Sequence, residues 1–135
     1  MTTKTYHGSC HCGAVTFEAD IDLAAGTGKC NCTYCRKRRN WGALLKPEQF
    51  RLLSGEAALG EYQFGTKSGH HRFCKTCGIA PFGSGYVEEI GGAFVSVQVL
   101  CLDDVPLAEL EAAPVNYADG LHNAWWQEPA EKAIL

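Results

Sequence analysis

Seven of the eight cysteines in this 135-residue chain fall into three short clusters, and this spacing constrains the fold more than any other feature. The clusters are Cys10-His11-Cys12, then Cys30-Asn31-Cys32-Thr33-Tyr34-Cys35, then Cys74-Lys75-Thr76-Cys77, while Cys101 stands apart. Zinc takes four sulfur or imidazole ligands in a tetrahedron, with sulfur at about 2.3 Å, and closely spaced cysteines bring sulfurs to one ion with little loop entropy left to lose. Disulfides belong to oxidising compartments. The opening MTTKTYHGSC carries no apolar stretch and no small-residue cleavage site, so a secretory signal is not expected and a cytoplasmic location is. There, eight thiols read as metal ligands or reactive groups rather than as four disulfides.

The rest of the composition describes an ordinary small domain. Hydrophobic residues make up 46% of the chain, so a modest core can form, and cross-links would add to its stability. No apolar run is long enough to span a membrane. Twelve Lys and Arg against 15 Asp and Glu give a net charge of -3, which argues against nucleic acid as a partner. No repeat or linker divides the chain, so residues 1–135 are expected to form one domain, with the motifs in 8–104 and a tail in 105–135.

From Ala14 to Ile21, Val15, Phe17, Ala19 and Ile21 alternate with Thr16, Glu18 and Asp20, the period of a half-buried strand. Trp41 to Leu45, Phe50 to Leu53, Tyr62 to Phe64, His71 to Phe73, Phe82 to Val87 and Phe94 to Leu102 are short, aromatic or β-branched, and bounded by turn residues. Short helical turns are predicted from Thr33 as cap through Arg39, at Pro47 to Phe50, and at Pro106 to Ala112. The fold class that follows is all-β with short helical turns. Leu121 to Leu135 is expected to lie as an irregular tail over the sheet, because two adjacent exposed indoles, Trp125 and Trp126, would be costly.

Cys74-x-x-Cys77-Gly78 has the form of a zinc knuckle and needs two more ligands. Cys10 and Cys12 are the natural complement, and the 61 residues between the pairs imply that the site ties distant parts of the domain together. Four cysteines close a structural site. Cys30, Cys32 and Cys35 then offer three sulfurs, one short of closure, and an open position is what separates catalytic from structural zinc. On the other reading, Cys101, His70, His71 or His122 completes this tetrahedron and nothing reactive remains. Cys101, in the apolar segment Val97 to Leu102, reads as buried packing. His7 and His11 read as surface residues, and His70 and His71 alternate, so at most one faces a site. A redox role for Cys74 and Cys77 would need a βαβ setting that the sequence lacks.

Taken in order, GSCHCGAV, KCNCTYCRK, RFCKTCG and VLCLDD resemble the glutathione-dependent formaldehyde-activating enzyme family, which includes centromere-protein-V-like domains. The resemblance implies a β-tent fold and two zinc ions, one structural on Cys10, Cys12, Cys74 and Cys77 and one catalytic on Cys30, Cys32 and Cys35. It implies a carbon–sulfur lyase, similar to an S-(hydroxymethyl)glutathione synthase, which joins or releases a small aldehyde such as formaldehyde and a thiol such as glutathione. Ala80 stands where the resemblance leads to a histidine.

A zinc on three thiolates has a formal charge of +2 − 3 = −1, which favours lowering the pKa of a substrate thiol over polarising a carbonyl. Attack of that thiol on an aldehyde gives a hemithioacetal, with Tyr34, His70 and His71 as candidate proton donors. Arg36-Lys37-Arg38-Arg39 follows the three-sulfur cluster directly, and Arg36 and Lys37 are expected to meet the carboxylates of a glutathione-like ligand. Trp41, Phe82, Trp125 and Trp126 are candidates to wall a pocket. A homodimer is left open. The alternative is a non-enzymatic zinc-binding interaction module in which both metals are structural.

Overall fold

A computed structural model describes residues 3–135. Its strands are β1 (Lys4–Ser9), β2 (Thr16–Ile21), β3 (Thr27–Cys30), β4 (Gly42–Leu45), β5 (Phe50–Ser54), β6 (Leu59–Tyr62), β7 (His70–Cys74), β8 (Phe82–Val87), β9 (Gly92–Gln98) and β10 (Val115–Ala118). Two six-residue helices, α1 (Thr33–Arg38) and α2 (Leu107–Ala112), and several 3₁₀ turns complete the chain. The fold is mostly β, as the residue pattern implies. A three-stranded sheet has the order β1-β2-β5, and a seven-stranded sheet the order β10-β3-β4-β9-β8-β7-β6.

The core lies where the apolar face of β2 meets the larger sheet. Val15, Phe17 and Ala19 are fully buried and Ile21 nearly so, which bears out the period-two alternation. Phe17 stacks on Phe50 at 5.5 Å between ring centroids and meets Phe82 edge-on at 6.3 Å. Such ring pairs add to the burial itself. Phe82 is thus core, not a pocket wall.

Several segments differ from the sequence expectation. The strand from Phe94 stops at Gln98, and Val99–Cys101 is a 3₁₀ turn, so Cys101 is half-buried on a turn rather than inside a strand. β6 begins at Leu59, three residues before the expected Tyr62 to Phe64, and ends at Tyr62, because pairing with β7 from Leu59↔Cys74 to Tyr62↔His71 sets its limits. Leu121 to Leu135 holds no strand, only 3₁₀ turns, while β10 just before it pairs in parallel with β3, Ala118 facing Cys30. The indoles of the tail are not covered. Trp126 is 75% exposed and Trp125 48%, the latter donating its indole N–H to Asn123 Oδ1 at 2.7 Å.

Candidate metal centres

Ser9 ends β1 and leads into the Cys10 to Gly13 turn, while Cys74 ends β7 and leads into the Cys77-Gly78 turn. Each turn needs a left-handed residue, Gly13 at φ 83° and Gly78 at φ 81°, where a side chain would strain the backbone. Within the second turn, the Gly78 N–H donates to Cys74 O and the Cys74 N–H to Ile79 O, both at 2.8 Å. The two turns bring Cys10, Cys12, Cys74 and Cys77 together, all four sulfurs within 4.8 Å of one another. Because β1 belongs to one sheet and β7 to the other, the cluster joins the sheets.

The spacing of the sulfurs fits a tetrahedral ion. Four sulfurs at about 2.3 Å from zinc are about 3.8 Å apart along each edge. Here Cys10 Sγ and Cys12 Sγ are 3.7 Å apart, and Cys12 Sγ and Cys74 Sγ 3.6 Å. Backbone N–H groups point inward: that of Val15 donates to Cys10 Sγ at 3.3 Å. The N–H groups of Ile79 and Cys12 pull the Cys77 thiol down to about 6, and that of Cys77 lowers Cys74. Donors aimed at sulfur favour the thiolate form that a metal requires.

The second cluster is built on the end of β3 and the start of α1. Cys32 occupies the position before the first helical residue, where Thr33 was expected to cap, and its Sγ accepts the Cys35 N–H at 3.3 Å. The Cys32 N–H in turn donates to Cys30 Sγ at 3.3 Å. α1 buries no residue of its own core face, and a helix of six residues is unstable alone. It is held from outside. Tyr34 packs on His71 at 4.2 Å, Phe64 at 5.3 Å and Tyr62 at 5.9 Å, and Arg38 donates to Tyr34 Oη at 3.1 Å and to Ala80 O at 2.8 Å. Arg36, Lys37 and Arg38 lie in its last turn, where cations suit the helix dipole.

Cys30, Cys32 and Cys35 have their sulfurs within 4.8 Å of one another, and no fourth His, Cys, Asp or Glu among the described residues joins them. The residues considered for closure lie elsewhere. His71 packs at a tilt against Tyr34, His70 Nδ1 is 3.2 Å from Glu61, and His122 Nδ1 is 2.9 Å from Asp119 Oδ2. Cys101 lines an adjoining cleft of about 590 Å³ with Cys10, Arg38 and Trp41, and burial pushes its thiol up to about 11. Within the trio, hydrogen bonds from Cys30 and then Cys35 hold Cys32 low, while its neighbours push Cys35 up. Sulfurs this close do not ionise together without a cation.

The tail forms one wall of this site. Asn31, buried between Cys30 and Cys32, donates through Nδ2 to Asp119 Oδ1 at 2.9 Å and accepts the Leu121 N–H at 3.0 Å. This fixes Gly120 against Cys30 and the ring of Trp125. Trp125 and Trp126 line a cleft of about 580 Å³ that reaches Cys30. A smaller cavity of about 100 Å³ touches Cys30 and Cys35 and is rimmed by Lys29, Arg36, Arg39 and Trp41. Of the two expected carboxylate binders, Arg36 is on this rim; Lys37 is exposed on α1 and lines none of these three clefts. Lys29 escaped sequence reading, although its place next to Cys30 was a signal. Asn31 and Asp119 were missed because only the β10–β3 pairing brings them together.

Among the described residues no helix is long and apolar enough to cross a membrane. The crystal structure of a Rhodobacter sphaeroides protein is similar to this chain, with 32% sequence identity over 82% of this chain and 99% of that one, and a TM-score of 0.68. The sequence profile of the glutathione-dependent formaldehyde-activating enzymes matches residues 5–119, a span that holds both cysteine clusters, and the chain belongs to that family.

Proposed function

We propose that the protein is a zinc-dependent carbon–sulfur lyase that joins a small aldehyde, formaldehyde in the family's name, to the thiol of glutathione or a related compound, and releases it in reverse. The observation that carries this reading is the three-sulfur cluster, which no fourth ligand joins among the described residues, beside a cavity rimmed with cations. Cys10, Cys12, Cys74 and Cys77 would hold a structural zinc, and Cys30, Cys32 and Cys35 the second. Zinc on three thiolates, when bound, offers its remaining position to a substrate thiol and lowers that thiol's pKa.

The chain's own residues do the rest. The N–H groups of Cys32 and Cys35 donate to Cys30 Sγ and Cys32 Sγ, orienting those two sulfurs and favouring their thiolate forms once a cation is bound. Lys29, Arg36 and Arg39 supply positive charge around a centre of formal charge −1 and receive the carboxylates of the thiol compound. In the forward step a sulfur–carbon bond forms as the carbonyl π pair moves to oxygen. The proton lost by the thiol ends on that oxygen, so no oxidant or further reactant is required.

The test is metal stoichiometry and thiol response. Two zinc ions per chain are expected, and a cobalt-substituted protein should change its sulfur-to-cobalt absorption when glutathione is added. Cys35→Ala should abolish that change and leave the thermal midpoint near wild type, whereas Cys77→Ala should unfold the domain. One metal per chain, or two with no spectral response to thiols, would overturn the reading.

A further inference from the structure

The cavity beside the three sulfurs is not left to solvent. Leu135 lines it, and is half-buried while residues 130–134 are exposed. Lys29 Nζ donates to Leu135 O at 3.1 Å and Arg39 Nη1 donates to Ile134 O at 2.6 Å. Among the described residues these are the hydrogen bonds that fasten 132–135 to the body of the domain. The others stay within the tail, Lys132 Nζ to Glu128 at 2.9 Å and the Leu135 N–H to Lys132 O at 3.0 Å, and Lys132 also lies 5.3 Å from the Tyr117 ring centroid.

We propose that residues 132–135 are an intramolecular strap over the three-sulfur site, and that Lys29 and Arg39, which backbone oxygens of Leu135 and Ile134 occupy, are the subsite for a carboxylate of a thiol-bearing peptide ligand. The ligand's class rests on the function proposed above; the strap rests on the contacts just given. Arg39 itself supports a dedicated role. It sits in the left-handed region at φ 58°, which is unfavourable for a residue with a side chain, and so turns out of α1 toward the cavity instead of continuing the helix.

The exchange is favourable in direction. The guanidinium of Arg39, bound to the neutral Ile134 carbonyl, gains less there than it would on a carboxylate, since charge-assisted bonds are roughly twice as strong. The strap is fastened by few bonds, the one to Ile134 exposed, which places it at the low end of local stability, so it opens without disturbing the core. A closed strap lowers apparent affinity in proportion to the fraction of open molecules.

The probe is S-methylglutathione, which has both carboxylates of glutathione and no free thiol. Calorimetry on the zinc-loaded protein should show this compound binding about tenfold more tightly to a chain stopped after Glu131 than to the full chain. In the shortened chain, Lys29→Gln with Arg39→Gln should reverse the gain. In the full chain, the compound should speed amide exchange at 133–135, a readout that needs no truncation. Equal affinity of the two chains, indifference to the double substitution, or no binding at all would each overturn the proposal. The cobalt response to glutathione is separate: it can fail while the strap behaves as described, or succeed while the strap does not.

Discussion

Gly120→Ala should weaken the three-sulfur site and leave the four-sulfur site intact. An added Cβ would lie 2.5 Å and 2.7 Å from Cζ3 and Cη2 of Trp125 and 2.8 Å from Cys30 Sγ. The ring can yield, because Trp125 is 48% exposed and anchored through one indole bond. The sulfur cannot yield as freely. Ordinary contact begins near 3.4 Å, so relief requires 3.4 − 2.8 = 0.6 Å of movement between Gly120 and Cys30. The backbone around Gly120 is pinned by Asn31 through Asp119 and Leu121, and Cys30 by its place at the end of β3. Metal sites tolerate about 0.2 Å in ligand position, so a displacement of this size costs affinity. Supporting contacts of this kind are worth about 10–100-fold in metal binding, or about 1.4–2.7 kcal/mol. Cobalt titration resolves the two sites: one equivalent should bind as in the wild type and the second 10–100-fold more weakly. Two equivalents bound with wild-type affinity would refute the reasoning. So would full rescue by adding Trp125→Ala, since that removes the clash with the ring and not the one with sulfur.

Other outcomes follow from the same geometry. Phe17→Ala, which empties a fully buried position between Phe50 and Phe82, should cost about 3–5 kcal/mol in denaturant unfolding. Trp126→Ser, at a residue 75% exposed, should change stability by no more than about 0.5 kcal/mol, so a large fall in midpoint would show that the indole is covered in solution. Hydrogen bonds from Asn31, and then His122, hold the Asp119 carboxyl below its ordinary range. A depressed folded pKa gives stability that is present above the ordinary aspartate range and lost as pH falls through the folded value. Asp119→Asn should therefore weaken the acid dependence of stability in that window, and an unchanged acid limb would count against the Asn31–Asp119 lock.

The cysteine spacing carried the metal centres a long way. Two pairs separated by 61 residues and a trio within six positions are local facts, and sulfur chemistry leaves few other uses for them. The strands around β2 were legible for a similar reason: one buried face imposes a period of two on Val15, Phe17, Ala19 and Ile21. β1, β3 and β10 left weaker marks, since Thr27-Gly28-Lys29-Cys30 and Val115-Asn116-Tyr117-Ala118 lack that alternation and are strands because neighbours pair with them.

The openness of the trio is a different kind of fact. Nothing in the sequence removes His70, His71, His122 or Cys101 from Cys30, Cys32 and Cys35; their separation follows from where β7, the turn after Gln98 and the tail come to lie. The same holds for Lys29, Asn31, Asp119 and Arg39. Ligand identity is set by side-chain chemistry at short range along the chain and is written in the sequence. Whether a site is closed, which cations face it and what lies across it depend on contacts between residues about a hundred positions apart, such as Lys29 and Leu135 with |i−j| = 106, and only the packed sheets bring those together.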